Sequence, residues 1–325
     1  MSSDRGGRNS GRMDPGRGHI DMTGSRNGMG ADRTGKIIRS VGGFYFVYCH
    51  EDAQTYQCRA RGIFRKDSFK PLTGDDCTFR LTKAQDVEGY VETIAERRNQ
   101  LIRPPVANVD QALVLFAFAS PQPNVSLLDR FLIEMKRQQI PAVVCFNKSD
   151  LVDEGRRQTL TKAYHLAGYQ VLTVSILKDE GLEQIRELMR GKTTVLAGPS
   201  GVGKSSLTNR LCPSAKMEVG DLSRRTERGK QTTRHAELFS AGDHTFFFDT
   251  PGFSSLELRG IGREEIKSFF PEFSEFEPGC RFQGCMHIHE PDCGVKQAIE
   301  EGLISRERYD SYLQLVEEVS AARRY

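Results

Sequence analysis

A chain of 325 residues is long enough for two or three domains, and 38% hydrophobic content in regular apolar runs is ordinary for a globular protein. No run is long enough to cross a bilayer, which sets membrane-spanning functions aside. A net charge of +3 does not by itself imply nucleic acid, so the distribution of charge is more telling than its sum.

Residues 1–34 mix Gly, Ser, Asp and Arg with almost no large apolar groups. Such a segment cannot bury enough surface to order itself, so a disordered tail is expected, and it lacks the apolar core of a signal peptide. Its arginines, Arg33 the last of them, alternate with Asp and read as a solvated stretch. From 35 to 103, β-rich runs at 43–48, 56–61, 77–81 and 88–94 alternate with turn signals. That spacing predicts a small barrel, with an OB-fold the natural candidate. Arg59, Arg61, Arg65, Lys66, Arg97, Arg98 and Arg103, interleaved with Tyr48, Phe64 and Phe69, form a candidate RNA-binding group of phosphate contacts and stacking platforms.

Pro104-Pro105 marks a hinge. Beyond it, strands at 112–118, 140–146, 170–174 and 193–197 alternate with helices at 126–139, 152–166 and 181–189, a doubly wound α/β pattern. Asn147-Lys148-Ser149-Asp150 ends the second strand. There the Asp150 carboxylate can accept both N1–H and N2–H of guanine, Asn147 can brace the loop, and the Lys148 stem can cover the purine face. Ser175, after the third strand, is a candidate backbone contact to the base.

Gly198-Pro199-Ser200-Gly201-Val202-Gly203-Lys204-Ser205 follows the fourth strand and fits GxxxxGK[ST], with Ser206 opening a helix. Its backbone amides should cradle phosphates, Lys204 should reach the β and γ phosphates, and the Ser205 hydroxyl should bind Mg²⁺. The stretch 216–234 lacks periodicity and is expected to order around nucleotide, Mg²⁺ or a partner. Within Gly229–His235, Thr233 is the preferred Mg²⁺ ligand and Thr232 the alternative. Asp249 closes a strand at 245–248; it should hold Mg²⁺ through water, while the turn Thr250-Pro251-Gly252 turns a backbone amide to the γ-phosphate.

Helices are expected at 263–270 and 306–323, flanking Cys280, Cys285, His287 and Cys293. Three Cys and one His can supply a closed tetrahedral Zn²⁺ site that fastens a short segment and activates no water, with His289 the competing ligand. The other five cysteines read as small buried hydrophobes.

These motifs stand in an unusual order. A GTPase ordinarily runs phosphate loop, DTPG, NKxD, whereas here NKSD precedes the phosphate loop and DTPG comes last. A circular permutation explains this and preserves the site, because loops at the carboxyl ends of a parallel sheet form one crevice whichever strand the chain enters first.

The permuted order, the phrase GPSGVGKSSL, the Thr pair and the DTPG resemble the RsgA (YjeQ/YloQ) family of ribosome-associated GTPases. The junction 101–111 and the Cys/His stretch 280–293 are similar to that family as well, so the resemblance covers residues 35–325. It implies an α/β fold: an N-terminal OB-fold β-barrel at 35–103, a circularly permuted P-loop GTPase domain at 104–260 and a C-terminal α-rich zinc-binding domain at 261–325. It also implies GTP/GDP, Mg²⁺ and one Zn²⁺ as cofactors, His287 as the zinc-ligating histidine, and the small (30S) ribosomal subunit and its rRNA as partner of a cytoplasmic monomer. Ribosome-stimulated hydrolysis as a switch in late subunit maturation is the implied function; an assembly factor using GTP only as a structural ligand, or an ATPase or small-molecule kinase, are the alternatives.

One departure touches the chemistry. The family usually carries a His before the Thr pair, where this chain has Gln231, and Phe253 follows the DTPG where Ras-like enzymes place a water-orienting Gln. Gln231 is thus the candidate water-positioning group, beside Lys204 and Thr233 in catalysis. A potassium-assisted mechanism is disfavoured, because Gly201 stands where such enzymes use an Asn.

Overall fold

The computed structural model describes residues 31–62, 64, 69–82, 88–101, 105–213, 237–249, 258 and 260–322. Expectations for the tail up to residue 30, for Arg65, Lys66 and Arg103, for 216–234 with Gln231, Thr232 and Thr233, and for 250–253 with Gly252, lie outside the described residues, as does the side chain of Asp249.

Five strands, β1 (Arg33–Val41), β2 (Phe44–Cys49), β3 (Thr55–Ala60), β4 (Asp76–Leu81) and β5 (Gly89–Ile94), close a barrel in the order β1-β2-β3-β5-β4. Strand alternation builds it: Tyr45, Val47 and Cys49 of β2 point inward to meet Ile37, Cys58, Cys77, Phe79 and Val91, while Phe44 and Phe46 face outward. The parallel β3–β5 pairing and the β1–β4 closure give the barrel its OB-like connectivity. Arg33, placed in the tail by sequence, belongs instead to β1, where it pairs with Asp52.

Several arginines of the expected RNA-binding group are committed internally. Arg97 pairs with the fully buried Asp75 at 2.7 Å and covers Phe69, Arg98 binds Asp110, and Arg61 meets Glu92 at 2.8 Å. Carboxylates distant in sequence make these pairings, which a local charge count does not reveal.

A two-stranded ribbon, β6 (Gln100–Leu101) with β7 (Val106–Ala107), leads into a six-stranded sheet. Its strands are β8 (Gln111–Ala117), β9 (Ala142–Asn147), β10 (Gln170–Thr173), β11 (Thr193–Ala197), β12 (Leu238–Ser240) and β13 (Phe246–Asp249), in the order β10-β9-β8-β11-β13-β12. All pairings are parallel except that of the short edge strand β12. Every residue of β8 and β11 is buried, as a strand covered on both faces requires. Helices α1 (Val125–Arg137) and α2 (Glu154–Leu166) cover one face through Phe131, Leu132, Leu160 and Tyr164. Helices α3 (Leu182–Met189) and α4 (Lys204–Leu211) cover the other through Ile185, Met189 and Leu207. Asn124 caps α1 by accepting from Leu127 N, and Asp153 caps α2 from Arg156 N.

The C-terminal region has its own core around Phe270, Phe273, Tyr309, Tyr312 and Leu315, which Ile133 of α1 joins. The helix expected at 263–270 is a 3₁₀ helix, Arg263–Phe269, followed by short 3₁₀ turns at Pro271–Phe273 and Glu277–Gly279. Pro271 explains the stop, since a residue before proline is driven out of the α region, and Phe270 sits at φ −105°, ψ 83°. Two α-helices follow, α5 (Gly294–Glu300) and α6 (Arg306–Ala322). From α6, Arg308 is 1% exposed and clasps Glu272 at 2.6 Å and Asp129 of α1 at 2.8 Å. Among the described residues no helix is long and apolar enough to cross a membrane.

Candidate functional site

The parallel register brings the motif loops to one edge. Asn147 at the end of β9 lies beside Ala117, Ala197 at the end of β11 lies beside Val114, and Asp249 at the end of β13 lies beside Leu196. The chain runs from β8 to β9 and β10 on one side and returns to β11 on the other, so the β8/β11 boundary is the topological switch point where a crevice opens.

Two loops there are joined directly. Buried Asn147 donates from Nδ2 to Val202 O at 2.8 Å and accepts from Ile176 N at 3.1 Å, tying the phosphate loop to the segment after β10. Lys148, in the left-handed region at φ 61°, donates from Nζ to Gly201 O at 2.8 Å and to Ser120 O. Glycine is required where these loops touch. Gly203 has φ +106°, and a Cβ there would stand 2.4 Å from Asn147 Nδ2; a Cβ on Gly198, at φ +143°, would stand 2.1 Å from Leu115 O. Lys204 opens α4 with Ser205 and Ser206, and its Nζ donates to Gly198 O at 2.8 Å and Pro199 O at 2.7 Å, so the loop is wrapped around its own lysine.

Asp150 is half-exposed at the crevice, and the buried Ser175 donates its hydroxyl to Asp150 Oδ1 at 2.6 Å. That bond, assisted by Lys178 and Lys148, holds the carboxyl below the usual aspartate range. The Ser175 hydroxyl thus leaves Asp150 ionised with one oxygen oriented.

A second constellation lies in the C-terminal region. The ligand atoms of Cys280, Cys285, His287 and Cys293 all lie within 4.8 Å of one another. Cys293 Sγ is 3.8 Å from both Cys280 Sγ and Cys285 Sγ, and His287 Nδ1 is 3.3 Å from Cys293 Sγ. A tetrahedral ion with Zn–S bonds of about 2.3 Å needs S···S edges of about 3.8 Å, whereas a disulfide needs about 2 Å. Three thiols and one imidazole therefore fit a closed site for a soft divalent ion such as zinc. Burial pushes the Cys285 thiol up to about 12 and keeps His287 neutral, so thiolate formation requires the charge of the metal. His289 is exposed and outside the cluster.

Sequence reasoning missed the shell around these four residues. His287 Nε2 faces Glu277 Oε1 at 3.2 Å, which fixes the ring with Nδ1 toward the cluster. Lys267 bridges Glu277 at 3.0 Å and Cys285 O at 3.1 Å, and the Tyr309 and Tyr312 hydroxyls each donate at 2.6 Å, to His287 O and Met286 O. No motif spacing signals these contacts, because they come from elements 10 to 26 residues away.

The family model described as RsgA GTPase matches residues 94–259, and the one described as RsgA N-terminal domain matches 34–91. The chain belongs to the RsgA family. A protein named small ribosomal subunit biogenesis GTPase RsgA from Agathobacter rectalis is 48% identical, covering 90% of this chain and 100% of that protein. One of the same name from Alkaliphilus metalliredigens is 45% identical over 90% and 99% of the two chains. The crystal structure of YloQ, described as a circularly permuted GTPase, superposes with a TM-score of 0.70 at 38% identity, covering 92% of this chain and 98% of that one. YjeQ from Thermotoga maritima superposes at 0.71 and 32% identity, over 89% and 99%. RsgA membership accounts for the motif order, and GTP or GDP with Mg²⁺ follows from it as the nucleotide chemistry of the crevice.

Proposed function

We propose that the protein hydrolyses GTP to GDP and phosphate on the small ribosomal subunit, as a switch that times a late step of subunit maturation. The observation that carries this reading is the direct bond from Asn147 to the phosphate loop at Val202, which sets a guanine-reading tetrapeptide against a phosphate cradle.

In this reading Asp150 receives the guanine N1 and N2 hydrogens, Ser175 orients its carboxylate, and the Lys148 stem lies along the base. The amides of Gly198 to Ser206 take the phosphates. Lys204 exchanges the carbonyls of Gly198 and Pro199 for the β and γ phosphates, relaxing a loop it now holds. Ser205 and Thr233 would hold Mg²⁺, with Asp249 behind a water, a backbone amide of the turn ending at Gly252 would meet the γ-phosphate, and Gln231 would orient the attacking water. Cys280, Cys285, His287 and Cys293 hold one Zn²⁺, a structural ion. The OB-fold runs from Arg33 to residue 103, the GTPase domain spans 104–260 and the zinc domain 261–325 of a cytoplasmic monomer, whose outer domains grip rRNA.

Phosphate release from GTP, measured with and without small subunits, tests the proposal. Slow intrinsic turnover that rises severalfold with subunits, and falls in Gln231→Ala, is expected. Negligible turnover in both conditions would favour an assembly factor that keeps GTP as a structural ligand, and equal turnover of ATP would remove guanine specificity.

A further inference from the structure

The barrel touches the GTPase sheet at the β12–β13 hairpin. Tyr48 meets Phe246 edge-on at 5.4 Å, the His50 and His244 rings lie 4.9 Å apart, and Ile38 packs on the cluster that contains Leu238, Phe246 and Phe248. Lys36 Nζ, 2.6 Å from Asp76, also stands 5.7 Å from the centre of the Phe246 ring. In sequence this hairpin follows Thr232 and Thr233 and ends at Asp249, before Gly252. The barrel therefore sits on the strands that connect two stretches assigned to the metal and the γ-phosphate.

At the root of the hairpin one guanidinium has two partners. Arg39 Nη1 is 3.6 Å from Glu237 Oε1, and the same group lies 3.9 Å from the centre of the Phe46 ring. Arg39 is 38% and Glu237 47% exposed, so the bridge is open to solvent. Next to it Arg59 lies 4.8 Å over Phe44, and the register sets Arg39 opposite Phe46 and Arg59 opposite Phe44. Phe44 and Phe46 are two apart on β2, so the four side chains line one outer face of the barrel, two cations over two aromatic rings.

We propose that Arg39 is a positioning residue that couples this outer face to the nucleotide crevice: a phosphate of the bound RNA competes with Glu237 for its guanidinium. The inference rests on the reading of the protein as a small-subunit GTPase. Stacking on Phe46 fixes the plane of the guanidinium, which has donors enough for either partner but is not placed to serve both well. An exposed bridge of this length is weak, so a polyanion can take the cation from it, and Glu237, the residue that opens the hairpin, then loses its tie to the barrel. Binding free energies are reciprocal, so any nucleotide state that moves Glu237 changes RNA affinity by the factor with which RNA changes nucleotide affinity. A bridge of this kind limits that factor to about fivefold.

The test uses the full chain and purified small subunits. Subunit affinity is measured with GDP and with a non-hydrolysable GTP analogue, for wild type and for Glu237→Gln, which keeps shape and removes charge. The ratio of the two affinities should fall about two- to fivefold in the variant, while nucleotide affinity of the free protein and melting temperature stay at wild-type values. Arg39→Lys should reduce the ratio as well, because an ammonium does not keep the stacked planar geometry. An unchanged ratio in Glu237→Gln overturns the inference and leaves the functional reading standing. A wild-type ratio of one overturns both.

Discussion

In the proposed reading, base selection turns on Asp150. Its carboxylate is kept ionised by Ser175 and half-open to the crevice, the condition under which it can accept two hydrogens from guanine. Asp150→Asn replaces one acceptor oxygen by an N–H donor. GTP affinity should fall at least about thirtyfold, the equivalent of about 2 kcal/mol for a lost charged pair, and xanthosine triphosphate, which presents an acceptor at C2, should bind better than GTP. Competition titration of the two nucleotides checks it, and an unshifted preference would remove Asp150 from base recognition. The tetrapeptide and the phosphate loop were legible in the sequence because each is a contiguous stretch with its own chemistry. Their dependence on each other was not: that Gly203 must lack a side chain to admit the Asn147 amide is a relation between positions on separate strands, visible only once β9 and β11 are in one sheet.

Among the elements, the buried strands and the amphipathic helices were readable because one periodicity governs each. β1 was missed, and its register shift between Ile37 and Arg39 shows why: a bulge breaks the alternation that a strand reading depends on. The segment 263–270 reads as a helix in the sequence and is one, of 3₁₀ type, which Pro271 brings to an end. The loop that carries the Cys/His cluster is the element most dependent on a ligand. Its path from Glu277 to Cys293 has only short 3₁₀ structure, whereas the helices on which it rests have a core of aromatic side chains. A chelator should therefore loosen the loop and lower subunit binding, yet leave GTP affinity within about twofold, since the crevice shares no residue with the cluster. Equal loss of both on chelation would show that the metal holds the whole fold.

At the scale of the molecule, the two outer regions meet the GTPase sheet in different ways. The C-terminal region is fastened to α1 by Arg308, whose two carboxylate partners are also buried, with burial pushing the Asp129 carboxyl up to about 6 against the attraction of the guanidinium. The barrel meets the sheet through aromatic and histidine contacts. His50 has its basicity lowered, first by burial and then by the neighbouring His244. The folded protein therefore resists taking up a proton that the unfolded chain accepts near pH 6.5, so this contribution is lost as pH falls below about 6.5 and levels off once the folded-state imidazole is itself protonated. Melting curves at pH 7.5 and pH 5.5, two conditions that bracket about pH 6.5, should differ less in His50→Gln than in wild type; an identical difference would place the acid sensitivity elsewhere.

The central claim is that guanine nucleotide in the permuted crevice governs attachment to the small ribosomal subunit. Cosedimentation of the intact protein with purified small subunits, under GDP and under a non-hydrolysable GTP analogue, measures that link directly. Severalfold tighter binding with the analogue is expected, and equal binding in the two states would contradict the account.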